Sequence, residues 1–266
     1  MQRSLETTAL AAVLKSSTID YPGQMAAVLF TGWCNMSCPY CHNKDLFDMD
    51  RGDQLNLGIV LTWLRTRAGA LTGVVISGGE PTMLGGDVLE ALILELRHQG
   101  FKVKLDTNGT ACVLSNTLKM NALPDYIAVD VKAPRGKYKD YVLGNEAQGR
   151  VAEDKLGGNL VWLDRVFRSE TRQYELRTTV HRSLLSVDAL TALKQDWVAR
   201  RKARPKWYLQ QYGKTDGFMP ELKDAPTYTD EELADMAIGL GAYVRGVEPG
   251  LAAKVEQITN ERQGVK

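Results

Sequence analysis

No apolar run in the 266-residue chain reaches the roughly 18 residues that a membrane-spanning helix needs. Charge of neither sign dominates: 33 Lys and Arg stand against 32 Asp and Glu, which argues against a nucleic-acid surface built on bulk charge. Cysteine is scarce, at four residues. That is too few for a disulfide-stapled fold of this length, and three of the four lie too close together to brace one. Reduced thiols are expected, and with them a cytoplasmic location. The first fifteen residues hold one short apolar stretch broken by charge, with no cleavage-like site after it, so neither export nor membrane anchoring is expected. Internal repeats, low-complexity segments and sharp composition shifts are also missing. The chain therefore reads as one domain, 1–266, with a core over about 20–215 and a C-terminal helix and strand extension over 216–266.

What is present is Cys34, Cys38 and Cys41, in the run Thr31-Gly-Trp-Cys-Asn-Met-Ser-Cys-Pro-Tyr-Cys-His-Asn43. Three thiols within eight residues can converge on one soft metal centre at little loop-closure cost. A structural zinc ion normally takes four ligands. The nearest fourth candidate is His42, and Cys112 lies far along the chain with no second cysteine near it in sequence. An iron–sulfur cluster on the same triplet would instead leave one iron open to an exogenous ligand, and an open iron implies chemistry.

Short β-rich apolar runs recur at 26–31, 74–77, 102–106, 126–132, 174–180 and 207–212, with helical spacing between several of them. Leu89, Leu92, Ile93 and Leu96 form one helical stripe closed by Gly100, Leu190, Leu193 and Trp197 form another, and Thr229-Asp-Glu-Glu232 reads as a capping box. Strand–helix alternation of this kind means an α/β fold with parallel strands, either an open doubly wound sheet or a barrel. In both, the loops leaving the C-terminal strand ends carry the site. Residues 135–172 are the least legible, mixing charge with Gly136, Gly144, Gly149, Gly157 and Gly158.

The polar motifs sit at those strand ends. In Ser77-Gly-Gly-Glu-Pro81, the glycines Gly78 and Gly79 let the backbone approach a ligand, and the Glu80 carboxylate can hold an ammonium. An ordinary strand-to-helix turn is the alternative. Asp106-Thr-Asn-Gly109 and Asp130-Val-Lys132 bring acidic and amide groups to neighbouring strand ends, although Asn-Gly is also a common turn dipeptide. Alternation along the fifth run puts Glu175, Arg177 and Thr179 on one face, with His181 at its end. The basic cluster at 200–206 is read as a solvated helix end.

With its flanks, Ser17-Thr-Ile-Asp-Tyr-Pro-Gly23 before it and Cys41-His-Asn-Lys-Asp-Leu46 after it, the triplet resembles that of the radical S-adenosylmethionine (SAM) enzymes. Among them it is most similar to the glycyl-radical-enzyme activases, chiefly the longer form of the anaerobic ribonucleoside-triphosphate reductase activating proteins, with pyruvate formate-lyase activating enzyme as a cousin. Gly32-Trp33 stands where that group more often has Gln-Gly.

The resemblance implies a partial (β/α)6 barrel and a [4Fe–4S] cluster on Cys34, Cys38 and Cys41. It implies reductive cleavage of SAM to a 5′-deoxyadenosyl radical, and a glycyl radical installed on a partner enzyme, with a flavodoxin or ferredoxin-type protein as electron donor. By the same resemblance Tyr40 lies against the adenine and Asn43 near the adenine or cluster. Gly78, Gly79 and Glu80 take the methionine amino group, while Thr107, Asn108, Asp130 and Lys132 contact the cofactor and substrate region, Lys132 as a catalytic residue with the three cysteines. Arg177 meets the cofactor carboxylate, and His181 the sugar or carboxylate, although a lone histidine at a strand end is more often a satisfied surface or core residue. Asp106, Thr107 and Asp130 are the positions for a monovalent cation, if one binds. The rim at 135–158 is the expected docking surface for the partner's glycine loop. Two other readings stay open: a radical enzyme acting on a small molecule, of the 7-carboxy-7-deazaguanine synthase type, and a non-catalytic metal-binding protein.

Overall fold

Apolar runs bounded by glycine, proline and polar turns set the strands, and the runs with no polar interruption become the most deeply buried ones. The structure, a computed structural model, describes residues 2–47, 54–142, 145–167 and 173–264. Leu143, Gly144 and residues 168–172 of the glycine-rich stretch lie outside the described residues. The chain divides into two compact units: Met1–Asn35, Asn43–Ala128 and Val166–Gln173 form the first, and Met36–His42, Val129–Arg165 and Tyr174–Lys266 the second.

The first unit opens with α1 (Gln2–Thr7), β1 (Ala9–Leu10), β2 (Ala12–Ser17) and β3 (Ala26–Thr31). It continues through β4 (Leu55–Asn56), α2 (Leu57–Arg65), β5 (Gly73–Gly78), α3 (Gly86–His98), β6 (Lys102–Thr107), the single turn α4 (Leu114–Thr117) and the start of β7 (Tyr126–Asp130). β3 pairs in parallel with β5, and β5 with β6. β2 closes onto β3 in the antiparallel sense, which no periodicity in the sequence announced. Thr31 is in register with Gly78, and Ile76 with Leu105. The cysteine segment, the Gly-Gly-Glu turn and the Asp-Thr-Asn-Gly turn therefore leave the same end of this sheet.

Val74, Val75, Ile76, Val103 and Leu105 are fully buried, and the α3 stripe Leu89, Leu92, Ile93 and Leu96 is fully buried with them. At about 25 cal/mol per Å2 of apolar area, each such side chain contributes roughly 1.5–3 kcal/mol. α3 ends as expected. Gly100 takes a φ of +91°, and its N–H bonds back to the Arg97 carbonyl at 2.9 Å.

The second unit takes up the end of β7 and adds α5 (Glu146–Val166), β8 (Gln173–Val180), α6 (Val187–Leu193), β9 (Lys206–Gln211), α7 (Asp230–Leu240), β10 (Tyr243–Arg245) and α8 (Pro249–Gln263). β8, β9 and β10 are parallel neighbours. The capping box forms: Thr229 Oγ accepts from the Glu232 N–H while Glu232 accepts from the Thr229 N–H. α6 runs on into a wider π turn, Lys194–Val198, that carries Trp197 to the Ala133 carbonyl, to which its indole N–H donates at 2.9 Å. Both units have the expected α/β character, with strands mainly parallel.

Candidate active site

In the first unit the site is built around Glu80, which is 1% exposed. Its Oε1 accepts from the Thr82 N–H at 3.1 Å, the Thr82 hydroxyl at 2.6 Å and the Thr107 hydroxyl at 2.6 Å. Its Oε2 accepts from the Asn108 N–H at 2.7 Å, which leaves that oxygen acceptor capacity for a cation. Burial raises the Glu80 pKa above the ordinary carboxylate value, although the hydrogen bonds from Thr107, Thr82 and Asn108 pull it down. Such a carboxylate, when ionised, has the chemistry to pair with a cation.

The glycines before it are required by close approach. A Cβ on Gly78, whose φ is +118°, would lie 2.3 Å from the Thr31 backbone, and one on Gly79 would lie 1.9 Å from the Trp33 carbonyl oxygen. The turn is stitched to the residues preceding Cys34 by Gly79 N–H to Thr31 O at 2.9 Å and Glu80 N–H to Trp33 O at 2.8 Å. Asn43 donates to the Gly78 carbonyl at 2.9 Å. Trp33 itself sits at φ +58°, a left-handed conformation costly for a bulky residue.

Asn108 extends the network toward the cysteines. Its amide donates to Asn35 Oδ1 at 2.9 Å and points at Cys34 Sγ at 3.7 Å, while its Oδ1 accepts from the Thr110 N–H and hydroxyl at 2.8 and 2.7 Å. Asp106 has a different neighbour, the fully buried Lys104, whose ammonium stands 3.0 Å from Asp106 Oδ1 and also donates to the Asp20 carbonyl at 2.5 Å. Thr82, Asn35, Thr110 and Lys104 carried no motif signal. Each is an ordinary residue type: Thr82 bonds Glu80 two residues away, Asn35 and Thr110 meet at 2.8 Å from distant parts of the chain, and Lys104 reaches both the nearby Asp106 and the distant Asp20 carbonyl.

In the second unit Asp130 is the hub. Arg177 Nε donates to its Oδ1 at 2.8 Å and Lys132 Nζ to its Oδ2 at 3.2 Å. Burial works to raise the Asp130 pKa, but Arg177 and Lys132 outweigh it and hold it at about 2. Burial likewise disfavours the Lys132 charge, yet Asp130 first, then Cys38 and Tyr40, keep its pKa well above the usual value. The Lys132 ammonium lies 6.0 Å from the centre of the Tyr40 ring. Tyr40 is buried with its hydroxyl unpartnered by any described residue. A buried hydroxyl without a protein partner suits a ring that meets a polar ligand.

The four cysteines are reduced thiols. Cys38 is buried, which pushes its pKa up to about 11 despite Lys132 nearby. Among the described residues no three Cys, His, Asp or Glu side chains form a ready-made metal cage. What the loop offers a soft metal centre is three thiols at fixed spacing, a set that suits iron–sulfur chemistry. The segment following β9 braces this loop. Met219 N–H donates to the Pro39 carbonyl at 3.0 Å, and a Cβ on Gly217 would lie 2.3 Å from that same carbonyl oxygen.

His181 is held by backbone at both ring nitrogens. Its Nδ1 accepts from the Ser183 N–H at 3.1 Å, and its Nε2 lies 3.2 Å from the Leu222 carbonyl. The neutral tautomer with its proton on Nε2 satisfies both. Burial lowers its pKa accordingly, and its ring meets Tyr212 edge-on at 4.8 Å. Neither ring nitrogen remains for a cofactor sugar or carboxylate.

A model of the radical SAM superfamily matches residues 28–150. A protein of Methanocaldococcus jannaschii, provisionally named a glycyl-radical enzyme activating enzyme, is 32% identical over 237 residues, covering 88% of this chain and 92% of its own. The pyruvate formate-lyase-activating enzyme of Streptococcus mutans is 34% identical over 125 residues, 43% of this chain and 47% of that one. Of the solved structures, Streptococcus suis SuiB bound to S-adenosylmethionine superposes with a TM-score of 0.52 at 14% identity, over 89% of this chain and 44% of that one. Native anSMEcpe with bound AdoMet and a peptide gives 0.50 at 12% identity, over 78% and 55%. These last two share the fold. Similarity along nearly the whole archaeal relative, with the cysteine triplet and the strand-end motifs in order, makes this chain an enzyme of the radical SAM family of glycyl-radical-enzyme activating enzymes.

Proposed function

We propose that this chain reductively cleaves SAM and installs a glycyl radical on a partner enzyme, an anaerobic ribonucleoside-triphosphate reductase. The family's [4Fe–4S] cluster and SAM supply the electron and the abstracting radical. The chain's own share is to bind, orient and exclude water. Cys34, Cys38 and Cys41 would hold the cluster.

The observation that carries the reading is the Glu80 cradle, a buried carboxylate fixed by Thr82, Thr107 and Asn108 with one oxygen still able to accept. It suits the methionine ammonium of SAM. Gly78 and Gly79 let that group approach the backbone, and Asn43 holds the turn through the Gly78 carbonyl. Arg177, oriented by Asp130, supplies a guanidinium for the methionine carboxylate. Tyr40 offers its ring to the adenine, and Lys132 keeps a positive charge beside it.

A monovalent cation at Asp106, Thr107 and Asp130 competes with the chain's own cations, Lys104 at Asp106 and Lys132 with Arg177 at Asp130. Potassium dependence of activity decides between them. Reduced thiols fit a reducing cytoplasm and a flavodoxin or ferredoxin-type donor. Among the described residues no helix is long and apolar enough to cross a membrane.

A second reading, with a pyruvate formate-lyase-like partner, is favoured by the 34% identity to the Streptococcus mutans enzyme. The test is to incubate the reconstituted, reduced chain and SAM with a purified anaerobic reductase or with a pyruvate formate-lyase, and to record paramagnetic resonance. A glycyl-radical signal on the reductase supports the proposal, a signal on the lyase alone supports the second reading, and SAM cleavage with neither signal contradicts both assignments.

A further inference from the structure

The cofactor chemistry uses neither the basic run at 200–206 nor the two glycines in the middle of α5. In the second unit these features meet. Arg135, Arg200, Arg201, Gly157, Gly158 and Trp197 all line one cavity of about 410 Å3, within the size range of small-molecule sites.

Adjacent glycines inside a 21-residue helix cost about 1 kcal/mol each relative to alanine, so a packing reason is expected for both. Gly157 has one, since a Cβ there would lie 3.2 Å from Arg135 Nη2 and 3.6 Å from the Trp197 ring. Gly158 has none. Nothing stands within 4 Å of a Cβ at that position, and what the missing side chain leaves is open cavity wall.

One buried guanidinium at this space keeps unused donors. The Arg201 side chain is 8% exposed and stands 3.3 Å from Asp164, but its Nε and Nη1 make no hydrogen bond. Asp164 already accepts from the Tyr174 hydroxyl at 2.6 Å and from the Lys202 and Ala203 N–H groups, each at 3.2 Å. Arg135 stacks 4.3 Å over Trp197, and neither its guanidinium nor that of Arg200 is in an ion pair among the described residues. Two carboxylates also face the cavity, Asp154 and Asp196. Asp196 accepts from the Arg135 backbone N–H at 2.9 Å, and Asp154 is exposed. The π turn that delivers Trp197 is itself a kind of irregularity often found at functional sites.

We propose that this cavity is a binding site for a phosphoryl oxyanion, held by the guanidinium groups of Arg135, Arg200 and Arg201, whose planar forks match phosphate oxygens. The space exceeds what a single phosphate fills. The same guanidinium forks would take free phosphate, pyrophosphate or the phosphate chain of a nucleotide, the larger two filling more of the space. The site is independent of the SAM-binding residues, so failure of one reading leaves the other standing.

Isothermal titration of the full-length protein with inorganic phosphate, pyrophosphate and ATP, in buffer free of phosphate and sulfate, tests it. Saturable binding of at least one probe is expected, undisturbed by excess SAM, and weakened about tenfold or more in Arg200→Gln. Gly158→Leu, which favours the helix and fills the cavity, should abolish binding without lowering the melting temperature. Binding of ATP alone assigns a nucleotide, and binding of phosphate or pyrophosphate assigns the free oxyanion. No saturable heat with any probe, displacement by SAM, or equal binding in both variants overturns the proposal.

Discussion

Asn108 reaches Cys34. Its side-chain amide points at the sulfur at 3.7 Å while its backbone N–H donates to Glu80 at 2.7 Å. One residue thus joins the buried carboxylate to the first cysteine of the triplet. Donors to a ligand sulfur stabilise the reduced, more negative cluster.

Asn108→Ala should therefore lower the reduction potential of the reconstituted cluster. One hydrogen bond of about 1 kcal/mol corresponds to a shift on the order of 40 mV for one electron. A redox titration followed by paramagnetic resonance measures it, and an unchanged potential would show that this contact does not reach the cluster.

Glu80 predicts opposite pH dependences for the empty and the loaded protein. Burial raises its pKa in the folded state, so the folded chain binds that proton more tightly than the unfolded one. Its contribution to stability then rises as pH falls through the folded value. Affinity for SAM runs the other way, because an ammonium needs the carboxylate ionised, and the loss should begin at a higher pH than an ordinary carboxylate would give. Glu80→Gln should bind SAM about 10–100-fold more weakly and show a flat acid limb in calorimetry. The same acid limb in wild type and variant would remove Glu80 from the binding reaction.

Trp33 holds a left-handed backbone with its side chain 57% exposed, so little burial offsets the strain. Trp33→Gly should stabilise the ligand-free protein by about 0.5–1 kcal/mol, strain relief less the entropy of a more flexible unfolded chain. The urea midpoint should rise at constant slope. A lower midpoint would mean that the indole contributes packing larger than the strain.

Gly217 has no room for a Cβ, which would sit 2.3 Å from the Pro39 carbonyl oxygen and 3.0 Å from the Cys41 nitrogen. Gly217→Ala must displace either the strap or the cysteine loop. Reconstitution should yield less iron per chain while the far-ultraviolet dichroism stays native. Full iron content would show that the strap yields and the loop does not depend on it.

Legibility from sequence followed how local each signal was. Cys34, Cys38 and Cys41 lie within one turn-rich run, and Glu80 and Asp130 sit at strand ends that their apolar runs mark. These needed no long-range information. Thr107 and Asn108 were expected as cofactor contacts and are, in the structure, donors to Glu80. Asn35, Thr110 and Lys104 acquire meaning through partners distant in sequence, Asn35 with Thr110 and Lys104 with Asp20, while Thr82 bonds Glu80 two residues away in a contact that no motif marks. The 21-residue α5 was hidden because glycines and charges interrupt its buried stripe of Leu156, Leu160 and Leu163. β2 was hidden because its exposed face leaves no alternation to read. His181 stood between two readings because a buried histidine bonded to backbone on both nitrogens looks the same in sequence as a ligand.

The central claim is that the cysteine triplet makes this chain a SAM-cleaving enzyme. Its most direct test is anaerobic reconstitution with iron and sulfide, reduction, addition of SAM, and assay of 5′-deoxyadenosine beside a Cys34→Ala, Cys38→Ala, Cys41→Ala variant. The wild type should give 5′-deoxyadenosine and the variant none. No product from a wild type that carries its cluster, with a glycyl-radical partner present, or equal product from the variant, would contradict it.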